Sequence, residues 1–474
     1  DGDGTRQPMG DYVSNQLESL GFTVDRQYKT ASEAFPIWQG TVAAEGQWNL
    51  YTAGYGVSGL GSLRDESGNI QQSYLNTSTQ ASEPYVSNVS DPEFQQLGDD
   101  LAQGNYDSKE ERDAMMARAL ELSLEDSLFV WVIDQKTYAP YANNVQVTFD
   151  LATGPESTNV GPYNLRFKDQ EGGTLKIVTN DLFTEPWNSV AGSNWIWDGF
   201  VIRMTTQGSS NITGAGGLMA DPYTGLAYPQ RIASAELTYK EGLPINQSLD
   251  WLTVTAVSQV DVPADAWIDW DATEQRFITV GEKYPDGLTA NVKSLVVYPD
   301  DLFETVKWHD GSPLSAGDFV MNMILSFDPG KPESKMYDEA LALSINATLS
   351  AFKGYRIVST DPLTIEAYSE TYNTNAELNI LTVWPQDLYG LGYENSWPVL
   401  AVSNLAEVNG ELAYSEDKAG TLEVEQTNWV GGPSLEILGK YLDQAATESH
   451  IPYAATMSQF VTKEEADLRY ANLK

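Results

Sequence analysis

Residues 306–319 read V-K-W-H-D-G-S-P-L-S-A-G-D-F, and almost every position dictates local geometry. Asp310-Gly311 is a turn pair, and Pro313 stiffens the chain after it. Ser315 with Asp318 three residues later is a helix start, followed by the apolar run F-V-M-N-M-I-L. The stretch therefore predicts a strand–turn–helix corner with a helix over 315–326. It also carries His309, one of two histidines in the chain, directly beside Asp310. A catalytic dyad or a metal ligand would use such a pair, but turn and helix-capping duties explain the stretch without chemistry.

Other chemistry finds little support. A hydrolytic triad needs a histidine to move protons; no G-x-S-x-G elbow occurs, and His450 sits in the polar segment T-E-S-H-I-P. Neither H-E-x-x-H nor a phosphate loop is present. The opening D-G-D-G-T-R imitates a calcium loop and then fails, with Arg6 where glycine must turn and Tyr12 where a bidentate Glu is needed. G-Y-G-V-S-G (54–59) fits a dinucleotide fingerprint, but L-G-S-L-R-D follows instead of a helix. No pair stands out among the 67 acids for carboxylate hydrolysis. We expect no enzymatic centre, cofactor or metal site.

Against those 67 acidic residues stand 27 basic ones, a net charge of −40, which opposes phosphate backbones and anionic lipids. No nucleic-acid partner is expected. The chain has no cysteine, which removes disulfides and thiolate chemistry together. Five N-x-S/T triplets, at Asn76, Asn88, Asn211, Asn246 and Asn346, are little above chance. The D-G-D-G-T-R opening and the close within a helical pattern at Lys474 suggest a processed or partial piece of a longer polypeptide.

Periodicity divides 474 residues into two regions and a connector. In 1–150, Val13, Leu17 and Leu20 share a helical face ended by Gly21, and 22–30 and 48–53 alternate like strands. Two helices are expected near 91–103 and 108–126, the second capped by Ser108 and Glu111 with Met115, Ala119 and Leu122 as its stripe. L-F-V-W-V-I (128–133) reads as a buried strand. Residues 151–173 form a Gly/Pro/Asn-rich connector. From 174 onward G-G-T-L-K-I-V-T (172–179) opens a strand-rich region with a glycine-rich loop (207–217) and W-L-T-V-T-A-V (251–257), before helices return at 315–326, 434–447 and 462–473.

The 306–319 corner resembles the signature V-x-[WF]-H-D-G-x-P-[LF]-[ST]-A-x-D-[VF] of the family 5 extracellular solute-binding proteins, the oligopeptide, dipeptide and nickel receptors of ABC importers. G-G-T-L-K-I-V-T with E-P-W-N (185–188), D-P-Y-T-G-L-A-Y-P-Q-R-I-A-S-A-E (221–236) and I-V-S-T-D-P-L-T-I-E (357–366) are similar to further first-lobe segments. G-D-Y-V-S-N-Q-L-E-S-L-G-F-T-V, D-P-E-F-Q-Q-L and the helix around 110–112 resemble parts of the second lobe, here placed before the first. The resemblance implies an α/β chain with a two-lobed, periplasmic-binding-protein-like fold, mixed β-sheets flanked by helices.

It also implies a non-catalytic receptor, extracellular or at the cell surface. The receptor would take a small solute (peptide or sugar) between two lobes and deliver it to an ABC permease. Peptide-binding members place an aspartate after a W-x-L-Y-like strand to meet the peptide's amino group; here W-N-L-Y-T-A-G-Y-G-V-S-G has no acid until Asp65. Tyr51, Tyr55 and Trp187, beside the matched loops, are the candidate ligand-binding residues. The alternative is a surface-layer or filament subunit that reuses the fold and self-assembles at the cell surface.

Overall fold

The computed structural model describes residues 6–29, 34, 37–38, 41, 43–53, 70, 74, 91–133, 140–147, 165–178, 186–191, 218–220, 226–229, 231–382 and 395–474. Tyr55, G-Y-G-V-S-G and the glycine-rich loop lie outside them.

Near the start, α1 (Arg6–Ser19) forms as its pattern requires, and Gly21 ends it at φ +96°. Its apolar face is not buried, however, and Leu20 stands in solvent. The segment after it, 22–29, joins no strand among the described residues. It turns back along the helix through Arg26 to Glu18 (2.9 Å) and Tyr28 to Asp11 (2.5 Å). Next come α2 (Pro92–Gln103), capped by Asp91 on the amides of Glu93 and Phe94, and α3 (Lys109–Asp126), capped by Ser108 on the amide of Glu111. Glu111 reaches back to the amide of Asp107 (2.8 Å), one residue before the expected partner. Ala119 and Leu122 are buried and Met115 packs beside them, with Phe94 and Leu101 from α2 facing them.

Three other expected strands do not form among the described residues: 48–53, 128–133 and 172–178. Val130 is 73% exposed and Val178 94%. Strand propensity expresses packing against neighbours, and these segments have no ladder among the described residues. What does pair here is the short ribbon β1 (Val145–Gln146) with β2 (Arg166–Phe167).

The remainder is a mixed α/β unit. A hairpin of β3 (Leu218–Ala220) and β4 (Ala227–Pro229) precedes β5 (Ser234–Lys240), β6 (Leu252–Val257), β7 (Val260–Val262), β8 (Trp267–Asp271), β9 (Arg276–Thr279), β10 (Leu288–Ala290) and β11 (Val292–Val297). Then follow α4 (Ala316–Leu325), α5 (Glu339–Ala351), β12 (Phe352–Thr360) and β13 (Leu363–Ser369). Seven of these strands make one sheet in the order β6-β5-β11-β13-β12-β8-β9, antiparallel except for the β5–β6 pair. β11 alternates buried and half-buried positions, as a strand between two partners should.

After the sheet come α6 (Trp397–Val408), β14 (Leu412–Ala413), α7 (Glu416–Leu422), β15 (Glu425–Gln426), α8 (Ser434–Glu448) and α9 (Lys463–Leu473). β14 and β15 pair in parallel. α4 is apolar nearly all round and buried, so it can only be an interior helix. It lies against α6, and Gly317 lets the contact close: a Cβ there would stand 2.3 Å from Val461 Cγ2 and 3.3 Å from the Trp397 ring. Two hydrophobic clusters result, a small one spanning Ile70 to Leu122 and a large one from Val190 to Tyr470.

Candidate functional site

The 306–319 corner keeps the expected turn and helix, but the expected strand is reduced to a single bridge after a short helical turn over Leu302–Thr305. Lys307 bridges to Pro313, the Trp308 amide meets the Ser312 carbonyl at 2.8 Å, and Gly311 takes φ +83° at the tip. The Asp310 carboxylate accepts the Ser312 amide at 2.8 Å. His309 is exposed on the turn, and Asp310 is occupied in holding it.

Behind the turn lies what the sequence did not reveal. Asp318 accepts the Ser315 amide (2.9 Å) and the Trp308 indole (3.1 Å), as a helix-capping acid should. It also accepts the Trp397 amide (2.9 Å) and pairs with Arg469 at 2.9 Å, both side chains buried. Arg469 donates to the Pro313 carbonyl as well (2.8 Å), and Glu465 accepts from Ser315 Oγ (2.7 Å) and the Trp397 indole (3.2 Å). One carboxylate and one guanidinium thus tie the corner to α6 and α9. The Arg469 Nε–H finds no acceptor among the described residues, but the Asp318 carboxylate is fully committed, so this is a clamp and not an open site.

Of the three candidate ligand residues, Tyr51 is half-buried and stacks on Trp38, with ring centroids 4.8 Å apart and planes at 13°. Trp187 is also half-buried and is fixed by its backbone. Its amide donates to Asn428 Oδ1 (3.3 Å), and its carbonyl accepts the Trp429 amide (2.9 Å). The neighbouring Asn188 is fully buried. Its amide group donates to the carbonyls of Tyr414 (2.8 Å) and Thr427 (3.1 Å), and its oxygen accepts from Val190 and Ala191.

The most perturbed groups near Trp187 escaped the sequence reading. Glu407, buried on α6, accepts the Tyr414 amide (2.7 Å) and Lys418 Nζ (2.6 Å). Burial outweighs Lys418 and pushes its carboxyl up to about 7. Tyr414 donates to Asn404 Oδ1 (2.6 Å), Asn404 donates to Tyr453 (3.3 Å), and Tyr453 donates to Asp328 (2.8 Å). Asp328 is also held by the Trp270 indole (2.7 Å) and Ser334 (2.7 Å), yet burial still raises its carboxyl. Burial, followed by the neighbouring carboxylate, likewise raises the phenols of Tyr414 and Tyr453. A polar chain so enclosed can hold a proton on Glu407 or Asp328, but its backbone-amide and Asn404 links do not pass one along. Among the described residues, no three His, Asp or Glu side chains group to hold a metal. A sequence signal did exist: Ser403, Asn404 and Glu407 are polar at three- and four-residue spacing in an otherwise apolar helix.

Comparison with family models, with curated proteins and with solved structures returns no match.

Proposed function

We propose that this chain is a non-catalytic solute-binding protein that works outside the cell. It would capture a small solute (a peptide or a sugar) between two lobes and pass it to an ABC permease. The observation that carries this reading is the presence of two separate apolar cores, joined among the described residues through Tyr372. Its hydroxyl donates to the carbonyls of Gly104 (2.8 Å) and Tyr106 (3.2 Å). Two cores suit a pair of lobes that close about a ligand. The corner at 306–319, committed to scaffolding, is consistent with binding rather than turnover. Trp187 would line the cleft from one side and Tyr51 from the other.

Screening short peptides, oligosaccharides and nickel ions by thermal denaturation tests this. A true ligand at a hundred times its Kd adds about 2.7 kcal/mol of stability and raises Tm. It also contracts the particle in solution scattering. No shift with any class, together with unchanged scattering, would end the proposal. A second reading, an assembling surface subunit, draws on the exposed apolar side chains of Val130, Val132, Ile133, Ile177 and Val178. Ordered lattices or filaments in electron micrographs of concentrated protein would favour it.

A further inference from the structure

Glu407 occupies a position from which one proton can affect a whole segment. It holds Lys418 at the start of α7 and the Tyr414 amide at the end of β14. Ser415, next in line, caps α7 on the Lys418 amide (3.1 Å) and donates to the buried Asp338 (2.5 Å). From the same stretch, the Tyr414 and Thr427 carbonyls receive Asn188, and Asn428 and Trp429 hold the Trp187 backbone. The groups that face Glu407 are Lys418 from α7, Tyr414 from the β14 end, Tyr453 from the turn after α8, and Asp338 from the start of α5. Asp417, raised by burial and then by Glu416 and Asp338, stands beside them, and Asp328 lies at the far end of the Asn404–Tyr453 relay. Three buried carboxylates (Asp328, Asp338 and Glu407) thus lie near Lys418.

We infer that the Glu407–Lys418–Tyr414 cluster is a proton-gated anchor for residues 412–429. It holds this segment, and the Trp187 backbone with it, more tightly in acid and more loosely above neutrality. The direction follows from linkage. Closed, the anchor buries Glu407 and raises its carboxyl from 4.5 to about 7. Opened to water, the same carboxyl returns to its ordinary value. The closed form therefore binds the proton more tightly, is favoured as the pH falls, and loses that advantage as the pH rises through about 7.

Amide hydrogen exchange of the intact chain, corrected for intrinsic chemistry and followed over residues 412–429 without solute, reads the switch. The opening constant should rise by about tenfold or more from roughly pH 5.5 to roughly pH 8. Glu407→Gln, which is neutral at every pH, should lose most of the rise, whereas Glu423→Gln, exposed on the same segment, should keep the wild-type profile. A flat wild-type profile overturns the inference without recourse to any variant. So does a Glu407→Gln protein that keeps the wild-type dependence. The consequence for solute affinity rests on Trp187 lining a cleft; the exchange measurement does not, so failure of one is distinguishable from failure of the other.

Discussion

Asp318 and Arg469 are both shut away from water, and each would be an uncompensated charge without the other. Such pairs contribute little beyond a hydrophobic equivalent, but breaking one from a single side costs about 3–5 kcal/mol. Arg469→Ala should therefore lower unfolding stability by about that amount in urea titration, because three neutral donors to Asp318 cannot replace the lost cation. His309→Ala, on the exposed turn, should remain within about 0.5 kcal/mol of the parent. Equal losses for the two would mean that the turn, not the clamp, holds the corner together.

Among the elements, the ones legible in the sequence carry their own local instructions. Asp91, Ser108, Ser315 and Thr462 each mark a helix start before an amphipathic or apolar run, and each helix begins there. Strands were legible where neighbours exist: 251–257 became β6, and I-V-S-T-D-P-L-T-I-E folds into the β12–β13 hairpin. The runs at 128–133 and 172–178 have as strong a strand composition but no ladder among the described residues, and composition cannot supply one. Of the candidate site, Trp187 was legible as an aromatic beside a matched loop. Asn188 and Glu407 were not, since their importance lies in partners more than 200 residues away for one and in burial for the other. Close approach is equally invisible in sequence. Gly317→Ala should cost about 1–3 kcal/mol by overpacking α4 against Val461. Adding Val461→Ala should recover part of that cost in a double-mutant cycle, and strict additivity would place the crowding elsewhere.

At the scale of the whole molecule, the link between the small and large cores is open to measurement. Tyr372→Phe removes the hydroxyl that reaches Gly104 and Tyr106 while keeping the ring against Tyr106. The local loss should be about 1 kcal/mol. Calorimetry should show the unfolding endotherm broaden or split as the two cores lose their coupling, whereas an unchanged endotherm would mean the coupling runs through other contacts. The corner clamp has a bearing on biosynthesis too. Asp318 emerges from the ribosome 151 residues before Arg469. At about 5–20 residues per second, the carboxylate waits roughly 8–30 s for its guanidinium. During that interval burying the charged Asp318 is costly, so the corner stays wet and this part of the large core closes only as α9 arrives. Closure of that region is thus timed by the arrival of α9.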